Sequence, residues 1–317
     1  MTHAIAMRLT GIHAATIVPL TDAFAIDEAR LAAHVARVSH VPGIRGLLVN
    51  GHAGENFVLS TAEKARVTEI ARRNAPKQCV ICSGVNAESS LDLAGEAASA
   101  EAAGADIILV FPPNSFALDH DPGAALVHHR HALAGCGLPV LLYGAPVGAG
   151  RMAYDHDTLT ALAQEPRIVG IKEGSWEISA YEANLRLLKR VRPDFVVMSS
   201  GDEHLLASYL IGSAGSQVSL AAIVPELTVA LWDACQRGDW GTARVLHDRL
   251  YLLSVAIYRD APGGRATARL KACLMLKGEL DGAAVRPPQP PVSAHELEQL
   301  RKALEAAGEL QPALPNR

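Results

Sequence analysis

The chain has 317 residues, 49% of them hydrophobic and 20% charged, with a formal net charge of −4, the make-up of a globular enzyme with a large core. A mildly acidic balance without a basic tract offers nothing to a nucleic-acid backbone or an anionic membrane surface, so neither is expected as a partner. Five cysteines are too few for a disulfide framework in this length, and neither a signal-peptide core nor a run of ~20 apolar residues is present, so a reducing cytoplasm is the expected compartment.

In chain order, short runs of β-branched and aliphatic residues predict strands at residues 14–19, 46–50, 80–84, 107–111, 140–143, 168–172, 195–199 and 216–220. Alanine-rich, mixed-charge stretches with helical periodicity lie between them, for example at residues 27–40, 61–74 and 89–103. Ser60 and Glu63 form a capping box that opens the second of these helices, and Gly104 closes the third. Eight such alternations predict an α/β fold, a (β/α)8 TIM barrel over residues 12–238. The remainder, residues 239–317, reads as a C-terminal helical extension. Its helices are expected at 240–258, 267–277 and 293–307, after an eighth barrel helix at 224–237. The breaks at 261–264 and 287–291 are short, so residues 1–317 are expected to form a single domain.

Two candidate metal or redox signals have plainer readings. Cys79 and Cys82 fall three apart on a strand, where side chains point to opposite faces, and are expected to be small buried hydrophobes. His128, His129 and His131 fall within the fourth helix without a carboxylate at ligand spacing, so a solvated helix face is expected and no metal.

Catalysis in a barrel of this kind occurs at the C-terminal ends of the strands. Lys172 ends the sixth, Ile168-Val169-Gly170-Ile171-Lys172. Desolvation over an apolar barrel disfavours its ammonium, and a neutral amine is what attack on a carbonyl requires. Glu173, the next residue along the strand, faces the other way and is poorly placed to neutralise it. Tyr143 ends the neighbouring fifth strand, where a phenol can pass protons to a carbinolamine or an aldol oxygen. The second strand ends in Gly51-His52-Ala53-Gly54-Glu55. Its glycines would let backbone amides approach a carboxylate. His52 is expected to donate or accept protons near neutral pH, and Glu55 to hydrogen-bond the loop. Candidate catalytic residues are therefore Lys172, Tyr143 and His52, and candidate substrate-binding residues Gly51, Ala53, Gly54 and Val218; Arg151, His204 and Ser219 are further possible liners.

Gly51 to Glu55, Tyr143-Gly144-Ala145-Pro146, Gly170 to Ser175 and Ser200-Gly201-Asp202, in that order, resemble the dihydrodipicolinate synthase / N-acetylneuraminate lyase family from about residue 12 to about residue 277. The resemblance implies a class I aldolase or dehydratase in which Lys172 forms a Schiff base with pyruvate or another 2-oxo acid. It implies that Tyr143 transfers protons and that the 51–54 loop holds the acid's carboxylate. It further implies no metal or organic cofactor, and a homo-oligomer, tetramer or dimer. The chain also departs from the family pattern. His52 and Ala53 replace a threonine pair, residues 111–115 lack the tyrosine that reaches a neighbouring subunit, and Gly148 stands where the synthase has an arginine for its second substrate. These departures point away from dihydrodipicolinate synthesis. A lyase of a 4-hydroxy-2-oxo acid is expected. A hydro-lyase of a 2-oxo-3-deoxy sugar acid through the same imine, and an inactive 2-oxo acid binder, are the alternatives.

Overall fold

The computed structural model describes residue 5 and residues 7–119, 121–259 and 263–311. Eight parallel strands, each bonded to the next in chain order, close into a barrel. They are β1 (Gly11–Ala15), β2 (Ile44–Val49), β3 (Val80–Val85), β4 (Ile107–Val110), β5 (Val140–Gly144), β6 (Ile168–Glu173), β7 (Val196–Ser199) and β8 (Gly215–Val218). The helices between them are α1 (Glu28–Ser39), α2 (Thr61–Asn74), α3 (Ser90–Ala102), α4 (Pro122–Gly135), α5 (His156–Ala163), α6 (Ile178–Val191), α7 (Leu205–Ile211) and α8 (Pro225–Gln236). Local chemistry sets their ends: the Ser60–Glu63 capping box opens α2, and Gly104, at φ +92°, follows the C-cap of α3.

Strand alternation divides the apolar residues into two cores. Leu48, Ile107, Leu109, Leu141 and Met198 fill the barrel interior, whereas Ile108, Val110, Leu142 and Val197 face the helices. Full burial of one such side chain is worth roughly 1.5–3 kcal/mol. Cys79 packs in a helix-facing cluster and Cys82 inside the barrel. Both are unpaired and buried, as their spacing on a strand requires.

After α8 come α9 (Trp240–Ser254), a π-helical turn at Val255–Arg259, α10 (Ala266–Leu276) and α11 (Ala294–Ala306). Leu250, Leu270 and Leu304 join the core cluster that holds β1, β2 and α8. Among the described residues no helix is long and apolar enough to cross a membrane.

Three expectations are corrected. The first strand occupies Gly11–Ala15, ahead of the expected 14–19, because pairing with both β2 and β8 lies there. The eighth ends at Val218, and Leu220–Ile223 is a short helical turn. The face of α4 that carries His128 and His129 is buried, not solvated. His128 reaches Ser90 Oγ at 3.1 Å and the Phe111 carbonyl at 3.2 Å, and His129 Nδ1 lies 2.8 Å from the Ala125 carbonyl. Burial holds His128 down to about 4 and His129 to about 3, so both are neutral packing groups.

Candidate active site

Lys172 and Tyr143 are register partners on β6 and β5. The Lys172 ammonium nitrogen lies 5.8 Å from the centre of the Tyr143 ring. Both side chains are buried. Desolvation lowers Lys172 to about 8, although the Asp202 carboxylate and the Cys82 thiol pull the other way. Glu173 points to the helix side of the barrel, where it accepts from Asn184 Nδ2 at 2.9 Å and Ser175 Oγ at 3.0 Å. Burial pushes the Tyr143 hydroxyl well above the ordinary phenol value, with Glu173 adding to it, so the phenol stays protonated.

The turn after β2 brings a second aromatic group to Tyr143. His52–Gly54 form one 3-10 turn flanked by Asn50 at φ 54° and Glu55 at φ 59°. The half-buried His52 ring is stacked between Phe57 and Phe111, each 4.6 Å away centre to centre. Its Nδ1 lies 3.4 Å from the Tyr143 hydroxyl, a long contact of the kind that tightens when substrate arrives. Phe111 also tilts onto Tyr143 at 4.6 Å. Gly84 makes room for this stack, since a Cβ there would lie 2.9 Å from the Phe111 ring and 2.2 Å from the Asn50 carbonyl oxygen.

Desolvation, reinforced by Lys172, holds His52 down to about 3. The expectation that it titrates near neutral pH is therefore corrected: the ring is a neutral hydrogen-bonding partner of the Tyr143 phenol.

Distant residues hold the turn. The Asn50 amide donates to the Lys64 carbonyl at 2.9 Å, Thr68 Oγ1 at 3.1 Å and Ser83 Oγ at 3.0 Å. From α10, the Thr267 hydroxyl donates to the His52 carbonyl at 3.0 Å, and Lys271 forms a buried ion pair with Glu55. The Arg286 amide donates to the other Glu55 oxygen at 3.0 Å. Glu55 thus ties the turn to the extension instead of bonding its own loop.

A cavity of about 890 Å³ opens above this centre. Lys172, His52, Ala53, Asp202, Gln217 and Ser219 line its barrel side; Tyr258, Arg259, Thr267, Arg286 and Gln289 line the side built by the extension. Tyr143 stands behind the His52 wall. His204 lines the cavity as well, whereas Arg151 pairs with Asp119 at 3.3 Å and Asp155 at 3.6 Å, away from it.

A Cβ on Gly51 or Gly54 would meet Leu48 at 3.2 Å and the Thr16 carbonyl at 3.3 Å respectively, so both glycines give the turn its room, and His52 and Ala53 meet the cavity. The Val218 side chain belongs to the helix-facing core, and its neighbours Gln217 and Ser219 line the chamber.

The sequence singled out no role for Asp202 or Tyr258. Asp202 Oδ1 accepts from the Leu220 amide at 2.9 Å. Burial raises its carboxyl to about 7, against the lowering pull of the Leu220 amide and Lys172. Its position at the end of β7 was the available signal. Tyr258 sits on the π-helical turn and tilts against Trp176 at 5.1 Å, a placement with no local sequence mark. Among the described residues no three His, Cys, Asp or Glu side chains converge as metal ligands.

Comparison with known proteins gives the family and the fold. The family model described as the dihydrodipicolinate synthetase family matches residues 8–307. The chain is 31% identical over 307 residues to a 4-hydroxy-tetrahydrodipicolinate synthase of Methanopyrus kandleri, covering 95% of this chain and 97% of that one. It is 30% identical over 285 residues to an uncharacterized DapA-like lyase of Halobacterium salinarum, covering 88% of each. Among solved structures, YagE of Escherichia coli K12, a prophage protein of the same family in complex with pyruvate, superposes with a TM-score of 0.87 at 22% identity, over 95% of this chain and 99% of that one. A family match over nearly the whole chain and relatives above 30% identity place the protein in the dihydrodipicolinate synthetase family.

Proposed function

We propose that this lyase makes or cleaves a carbon–carbon bond through an imine between Lys172 and pyruvate or a related 2-oxo acid, in the cleavage direction acting on a 4-hydroxy-2-oxo acid. The observation that carries the reading is the pairing of a buried amine that lines the cavity, lowered to about 8, with the Tyr143 phenol on the adjacent strand. At pH 7 about a tenth of such amines are neutral, against about one in three thousand for an unperturbed lysine. The neutral amine adds to the C2 carbonyl, and Tyr143 gives a proton to the carbinolamine hydroxyl, which leaves as water and yields the iminium. In cleavage the Tyr143 phenolate left by that step takes the C4 hydroxyl proton as the C3–C4 bond breaks. The aldehyde departs, the iminium takes the electron pair as an enamine, C3 is reprotonated and water releases the 2-oxo acid. His52 accepts from the Tyr143 hydroxyl and steadies it during these transfers. The His52 and Ala53 amides begin the 3-10 turn and lack partners within it, which suits them to the acid's carboxylate.

The imine is itself the electron sink, so the scheme needs no metal or organic cofactor. Relatives named as synthases favour bond making and breaking over the hydro-lyase and inactive-binder alternatives. Five buried, unpaired cysteines suit a cytoplasmic location. A homo-oligomer, dimer or tetramer, belongs to the same proposal, although one structural neighbour is described as a monomeric dihydrodipicolinate synthase variant.

The test is intact-protein mass after borohydride reduction with pyruvate. One reduced adduct is expected, absent in Lys172→Ala, with a trapping rate that rises with pH through about 8 as the ammonium loses its proton. No adduct with pyruvate or longer 2-oxo acids would overturn the proposal in favour of a binding protein.

A further inference from the structure

Of the polar side chains of the chamber that have no part in this scheme, Gln217 is distinguished by its burial and its lack of partners among the described residues. Gln217, on β8, is fully buried and lines the same cavity as Lys172. Neither its Nε2 nor its Oε1 has a hydrogen-bond partner of ordinary geometry among the described residues. The Cys82 thiol lies against it, but a thiol is a weak partner for a primary amide with two donors and two acceptor positions. Each buried polar group left unmade costs about 1–3 kcal/mol, and an apolar side chain here would avoid that penalty, as Val218 does on the other face of the strand. A buried amide presented to a cavity is therefore matched to something that enters the cavity.

Its place in the chamber says which part of a ligand it meets. Cys82 faces the barrel interior and interacts with both Gln217 and Lys172, so the amide and the amine border the same chamber on its barrel side. The outer wall belongs to the extension, where Arg259 and Gln289 face the far end of a substrate. The turn after β2 faces the carboxylate. With those two ends taken, the carbon next to the imine carbon is the part of a Lys172-bound 2-oxo acid left for an amide on the barrel side of the chamber.

Resting on the imine reading above, we propose that Gln217 selects the 2-oxo acid by hydrogen-bonding a hydroxyl on C3, so that the preferred nucleophilic partner is a 3-hydroxy-2-oxo acid. In the trapping step the Lys172 amine displaces the C2 carbonyl oxygen as water, and borohydride then delivers hydride to C2, leaving the C3 hydroxyl in place.

The test compares borohydride trapping of 3-hydroxypyruvate with that of 2-oxobutanoate, in which a methyl group of similar size replaces the hydroxyl. Each rate is divided by the rate for a free alkylamine, to remove the intrinsic reactivity of the carbonyl. The wild type is expected to favour 3-hydroxypyruvate by about tenfold or more, because a site built to bond a hydroxyl penalises its absence. Gln217→Met, close in volume and apolar, is expected to erase that preference while still trapping pyruvate. Equal trapping by the wild type, or a preference that survives in Gln217→Met, would mean that the amide serves only water and would overturn the proposal. Should the variant fail to fold, the wild-type ratio decides alone. Absence of a pyruvate adduct in the wild type is a different result, which removes the imine reading itself.

Discussion

The two sides of the reaction chamber are held by different means. Lys172 and Tyr143 stand on neighbouring strands, and the ladder between β5 and β6 sets their separation. His52 stands on a turn with left-handed residues at both ends, held by Asn50 on one side and by Thr267, Lys271 and Arg286 from the extension on the other. The strand side keeps the lysine and tyrosine of the family pattern, whereas the turn side replaces its threonine pair with His52 and Ala53. On the proposed scheme the imine-forming pair rests on the rigid sheet, while His52 is carried on a turn whose placement depends on residues far along the chain.

That contrast can be broken experimentally. The largest effect is expected at Tyr143→Phe, which removes the phenol while leaving its ring: kcat should fall by about 10²–10³-fold, with the pyruvate adduct still forming, only more slowly. An unchanged kcat would show that proton transfer runs through another group.

His52→Ala is expected to lower kcat by roughly ten- to a hundredfold. Because the ring is held near 3, the wild-type rate profile should carry no histidine limb between pH 5 and 8. A limb near pH 6.5 that disappears in His52→Ala would show that the ring titrates in the working enzyme.

The smallest effect is expected at Thr267→Val, which deletes one hydrogen bond to the His52 carbonyl. A loss of about 1 kcal/mol corresponds to roughly fivefold in kcat, with little change in KM. Thr267→Ser should restore the rate, since it keeps the hydroxyl. A Thr267→Val defect that serine does not rescue would mean that packing, not the hydrogen bond, places the turn.

Much of the barrel was legible because its signals are local. Periodicity, the Ser60–Glu63 box and Gly104 mark elements within a few residues of themselves, and Lys172 is recognisable as a lysine at the end of an apolar strand. The misreadings have a physical pattern. Choosing Val218 over Gln217 was a one-residue offset on a strand, which exchanges the inner face for the outer. His128 and His129 looked solvated by composition, yet α4 packs its imidazoles against Ser90 and the carbonyls of Phe111 and Ala125. His52 seemed a neutral-pH titrator until its two stacking phenylalanines were in place. The Lys271–Glu55 pair, between residues 216 positions apart, leaves no mark that a window of sequence can detect.

That same pair bears on how the enzyme comes into being. A chain leaving the ribosome completes β1 to β8 before α10 emerges, and domains begin to organise from the N-terminal end. Until Lys271 and Thr267 dock, Glu55 lacks its cation and the turn bearing His52 lacks its outer support. A half-made barrel would present the Lys172 amine before the turn bearing His52 has its outer support. The chamber is therefore completed late in synthesis, when the last helices close over a mouth that the first strands have already shaped.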